Sequence, residues 1–108
     1  MKATYYQRGE TLDYTPTEKT EAGQVVDLKT RIGVAAAPIL AGEQGAVHMV
    51  GVFAMTKADG EAIDQGTAVY YDSAADAITA TEGSNTPAGY AAASAAATDA
   101  TVLVKLLG

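Results

Sequence analysis

The chain has 108 residues, a formal net charge of −6, 48% hydrophobic residues and no cysteine. That length supports one modest core, and the hydrophobic share argues against wholesale disorder. Lys2, Arg8, Lys19, Lys29, Arg31, Lys57 and Lys105 are scattered, so the clustered positive charge that nucleic acid needs is missing, and without cysteine there are no disulfides, thiolate nucleophiles or sulfur-ligated metals.

Residues 1–10 carry Tyr5, Tyr6 and Arg8 but little aliphatic content. They read as an extended arm ahead of a β domain over residues 11–108. The segment lacks the apolar stretch of a signal peptide, and no later run approaches membrane-spanning length. The expectation is a soluble protein made in the cytoplasm, with no nucleic-acid or membrane partner. An arm of this kind is expected to touch a neighbouring chain through Thr4, Tyr5, Tyr6, Gln7 and Arg8.

Strands follow in short pieces. Thr11 to Tyr14 is the first and stops before Pro16. Gln24 to Lys29 and Arg31 to Ala37 come next, the latter closed by Pro38. Gly45 to Met55 is the longest apolar run, and Gly51 in its middle predicts a bulge or bend. Thr67 to Asp72, Ala77 to Thr81 and Thr101 to Leu107 complete the set. A block recurs in EAGQVVDL, GEQGAVHMVGVFAM and DQGTAVYYD: a small or acidic residue, a turn glycine, then a β-branched or aromatic run suited to a pleated, half-buried surface. Short strands separated by such turns predict an all-β fold, a single small β-barrel or β-sandwich domain of short antiparallel strands.

The segment PAGYAAASAAATDA, Pro87 to Ala100, is ambiguous. Alanine favours helix, yet Gly89, Ser94 and Thr98 interrupt the run, so strand–loop–strand is preferred over a short helix. Alanine on a strand would mark a place where another surface comes very close. The apolar content is mostly alanine and valine, with one Phe and no Trp, which buries little area per residue and favours reliance on a partner or on self-association.

No constellation points to catalysis. His48 is the single histidine; alternation puts it on the opposite face from Val47 and Met49, facing solvent or a partner. Ser73, Ser84 and Ser94 sit in no nucleophile-elbow context. Asp59, Glu61 and Asp64 match only part of a calcium-loop pattern and read as a solvated double turn. Phosphate-cradling glycine motifs are absent. No catalytic, cofactor or metal residue is expected, and no cofactor. The tyrosines remain, because tyrosine is favoured at protein interfaces. Alternation sends one of Tyr70 and Tyr71 inward and the other out; Tyr71 and Tyr90 join the arm residues as expected partner contacts.

Taken in order, ATYYQRGETLDYTP, AGQVV, IGVA, ILAGEQGAVHMVGVF, GTAVYYD and GYAAASAAATDATVLVKL resemble the small capsid cement, or head-decoration, proteins of tailed bacteriophages and prophages. The resemblance covers nearly the whole chain. It implies an all-β fold, a place on the outer capsid surface of the virion, synthesis in the host bacterial cytoplasm, and binding to the major capsid protein as a homotrimer at three-fold positions. Two departures stand out: Tyr70-Tyr71-Asp72 replaces a Tyr-Trp-Asp pattern, and the alanine tract is longer, which leaves Ala91 to Ala97 open. Two other functions compete with a structural role: a small module for host-surface or glycan adhesion, and an acid-based hydrolase using Asp59 to Asp64, the least favoured.

Overall fold

A computed structural model describes all 108 residues. It contains nine strands and no helix. β1 (Thr11–Tyr14), β2 (Val25–Asp27), β3 (Ile32–Ala35) and β4 (Gly45–His48) form one sheet in the order β1-β4-β3-β2. β5 (Val52–Thr56), β6 (Ala68–Asp72), β7 (Ala77–Thr79), β8 (Thr86–Ala91) and β9 (Thr101–Leu106) form a second, in the order β5-β9-β8-β6-β7. Every strand pairing is antiparallel. The expected all-β class of short antiparallel strands holds, and of the two architectures considered the sandwich-like one fits.

Alternation along the strands builds the core. Ile32 and Val34 of β3 point toward the five-stranded sheet and join Met55, Val69, Ile78, Val102, Val104 and Leu106 in the main buried cluster. The opposite face of the four-stranded sheet is apolar too: Val26, Val47 and Met49 pack there against Ile39. One sheet therefore has an apolar cluster on each face. Between the two sheets, the hydroxyl of Thr86 donates to Asp27 at 2.8 Å. The ends of the five-stranded sheet approach each other at a single parallel bridge, Lys57 with Ile78, and the sheet does not close into a barrel.

The run Gly45 to Met55 is two strands rather than one bent strand. β4 ends at His48, and β5 starts at Val52 in the other sheet. Gly51 makes the crossing with φ +121°, a value that side-chain-bearing residues rarely adopt, while its carbonyl accepts from Leu106 N–H. Each half sends apolar residues into the interior, Val47 and Met49 on one side of Gly51 and Met55 on the other, which hides the division from a hydropathy reading. β1 spans Thr11–Tyr14 as expected, while β2, β3, β6, β7 and β9 are shorter than expected by one to three residues.

The alanine tract forms no helix, as the strand–loop–strand reading requires. Its backbone groups bond across the fold: Ala91 N–H to Thr67 O, Ala92 N–H to Leu103 O, and Ala95 with Ile63 in both directions. Ala88, Ala91 and Ala95 are buried in the main cluster, where small side chains let strands and loops approach closely. The closest approach is at Gly89. Pairing between β6 and β8 shifts between Val69 and Tyr70, leaving Ala88 without a partner on β6. The resulting bulge holds Gly89 at φ +146° against the backbone of Lys105.

Candidate interaction surfaces

Three surfaces stand out. The first is the leading segment. Residues 1–8 are exposed and form no strand. Their only hydrogen bond is the ion pair of Arg8 with Glu10 at 2.7 Å, between two well-exposed side chains, so it holds the segment weakly. Thr4, Tyr5, Tyr6, Gln7 and Arg8 therefore lie together along one extended stretch without a surface beneath them. The segment is rooted where Glu10 O accepts from Met49 N–H.

The second surface is the outward face of the five-stranded sheet. Strand register aligns Val52, Lys105, Tyr90 and Ala68 in one row across β5, β9, β8 and β6. Leu103 of β9, two residues from Lys105, shares this face and is paired with Ala54. Val52, Tyr90 and Leu103 are 52%, 47% and 43% exposed, so apolar groups stand uncovered on a regular sheet. Tyr90 projects from the middle of this face, one turn of alternation away from the buried Ala91.

The third is a cleft of about 550 Å³ between the sheets. Its apolar walls come from Val25 and Val34 on one side and Phe53, Met55 and Ile78 on the other. Ala54 and Thr56, on the edge strand β5, complete the rim. His48 reaches it as well, its ring 5.9 Å from that of Phe53. The histidine lies opposite Val47 and Met49, as alternation requires, but it is half-buried in the cleft wall instead of facing solvent.

Tyr71 answers which of the tyrosine pair turns inward. Its ring packs against the main cluster, and its hydroxyl donates to Asp76 Oδ1 at 2.6 Å in the cleft. Partial burial, then the hydrogen bond to Asp76 and the negative charges of Asp76, Asp27 and Asp72 push its pKa well above the ordinary tyrosine value. The three carboxylates give this end of the cleft a negative potential, and none of them forms an ion pair. Tyr70, paired with Thr79 and Pro87, is half-buried.

The acids at Asp59 to Asp64 do not converge. Glu61 accepts from Thr79 Oγ1 at 2.7 Å and from Ala80 N–H at 3.1 Å, tying the preceding loop to β7. Asp64 shapes a turn, its carbonyl accepting from Thr67 N–H. Sequence reasoning missed Lys57, which is 2% exposed. Its Nζ donates to Ala58 O at 2.9 Å and Ala97 O at 3.3 Å, beside the bridge where the ends of the five-stranded sheet meet. Nothing in its local sequence marks it for burial.

Comparison with known proteins gives one match. A family described as phage cement protein matches residues 6–106. No curated protein and no solved structure matches the chain.

Proposed function

We propose, because the chain belongs to the family of phage cement proteins, that it binds the outer surface of the assembled head and ties neighbouring major capsid protein subunits together. The family match over nearly the whole chain carries this reading; the family is a structural one, associated with the phage capsid. The chain acts as a homotrimer at three-fold positions. Many copies across a lattice convert modest single affinities into a large total. A ligand that binds only the assembled shell stabilises that shell by mass action.

The uncovered row Val52, Lys105, Tyr90 and Ala68, with Leu103 beside it, supports the outward face of the five-stranded sheet as the head-binding surface. Exposed apolar groups around a central tyrosine suit a protein partner. Thr4, Tyr5, Tyr6, Gln7 and Arg8 reach a neighbouring chain, and Tyr71 contributes from within the cleft. No observation favours the adhesion reading over this one.

The test uses purified heads lacking the protein. Wild-type chain is expected to co-sediment with them and to raise their resistance to heat. Leu103→Asp and Tyr90→Ala, on an exposed face, are expected to keep the fold and lose binding. Absence of the protein from mature particles, or full binding by both variants, would defeat the proposal.

A further inference from the structure

We infer that the cleft between the sheets is the dock for residues 4–8 of a second copy of this chain, added as a strand along the open edge of β5. This deepens the homotrimer part of the proposed function by naming the contact between copies.

The edge is available. Gly51 O accepts from Leu106 N–H, and Lys57 N–H donates to Ala100 O. Phe53 and Met55 share that phase and face β9. By alternation, the backbone groups of Val52 and Ala54 point to the open side, where Ala54 lines the cleft; beyond them the bridge of Lys57 with Ile78 closes the edge. An unpaired edge beside an apolar groove is the site that an extended segment takes by strand addition.

The occupant matches in length, composition and charge. Residues 4–8, TYYQR, equal β5 in length, are rich in strand formers and lack proline. Alternation puts Thr4, Tyr6 and Arg8 on one side, so Tyr6 can fill the groove lined by Val25, Val34, Phe53 and Met55. Residues 1–9 carry Lys2 and Arg8 and no acid, whereas the rest of the chain carries five basic and thirteen acidic residues. Whichever way the strand runs, one of its two cations approaches the Asp76 end of the cleft, where Asp27 and Asp72 add negative charge around Tyr71. Within its own chain the segment is rooted at Met49 and leaves without touching the cleft. The contact is heterologous, arm of one copy into cleft of the next, and such contacts end either in a closed ring or in an open filament. Three copies close the ring that the proposed function requires.

The chain has no cysteine, so engineered thiols report the contact directly. Tyr5→Cys and Ala54→Cys proteins, whose side chains share the outward side of the added strand pair, purified separately and mixed under mild oxidation, are expected to form a mixed disulfide at least about tenfold faster than Tyr5→Cys with Ala68→Cys, farther across the same face. Lys2→Glu with Arg8→Glu, in a segment without fold contacts, is expected to slow that reaction toward the control rate. Ala54→Pro removes an outward N–H without touching the β9 ladder and is expected to reduce the size of the particle in solution. Equal rates for both cysteine pairs would overturn the inference. So would a doubly substituted Tyr5→Cys, Ala54→Cys chain that closes on itself at a rate independent of concentration. These measurements use the purified chain alone, so their failure is separable from a failure of head binding.

Discussion

Gly89→Ala probes the tightest point of the fold. A Cβ there would lie 1.9 Å from Lys105 O, 3.0 Å from Lys105 C and 3.2 Å from Leu106 C. The first distance is roughly 1.4 Å short of an ordinary carbon–oxygen contact. The obstacle is the hydrogen-bonded backbone at the C-terminal end of β9, which cannot rotate aside, so β8 and β9 must part. The register pairs Gly89 with Leu106 and Tyr90 with Lys105, and loosening two hydrogen bonds there costs about 2 kcal/mol. The positive φ of +146° adds about 1–2 kcal/mol of backbone strain for alanine. The sum, about 3–4 kcal/mol, is a large share of a small domain's stability and corresponds to a fall in Tm on the order of 15 °C. Gly66→Ala is the internal control: φ is +88°, but a Cβ meets nothing within 4 Å, so only strain of about 1 kcal/mol is expected. Urea and thermal unfolding of both variants measure the difference. Equal losses would refute the claim that close strand approach, and not φ alone, requires glycine at position 89.

Lys57→Ala is expected to lower stability by about 2–4 kcal/mol, because it empties a buried site and strands two carbonyls; Lys57→Met, which restores the apolar stem, is expected to recover at least half of that in denaturant titrations. Thr86→Val keeps shape but deletes the bond to Asp27 between the sheets, and is expected to cost about 1 kcal/mol by the same measurement. In an ultraviolet titration of the tyrosines, one phenol is expected to ionise well after the others; Asp76→Asn should bring it partway back, since burial remains as the larger cause. The raised folded-state value means that the stability linked to Tyr71 is complete below pH 10, the ordinary phenol value, and falls as pH rises above it, because the folded state then holds the proton more tightly than the unfolded chain.

The strands were legible because β-branched runs and turn glycines punctuate the chain: Gly23, Gly42 and Gly66 of the recurring blocks all adopt positive φ. The face of His48 relative to Val47 and Met49 was also legible, being a matter of local alternation. Its half-buried setting was not, since the cleft wall is made by Phe53 and by strands distant in sequence. The division at Gly51 was hidden because apolar residues flank it on both sides. Lys57 was invisible for a different reason: lysine is rarely buried, and its acceptors include Ala97, forty positions away. Tyr71 turns inward because it is in phase with the buried Val69 two positions earlier on β6; alternation links the two, but which phase of β6 meets the core is decided by the strands packed against it.

The parallel bridge from Lys57 to Ile78 has a thermodynamic meaning. It brings the margins of a five-stranded sheet together at one point and leaves them apart along the cleft, like a stave missing from a cask. If a neighbour supplies that stave, a solitary copy is incomplete and its cohesion depends on how crowded it is. The melting temperature would then climb with protein concentration; a melting temperature flat across a dilution of about 100-fold would mean that each copy is finished on its own.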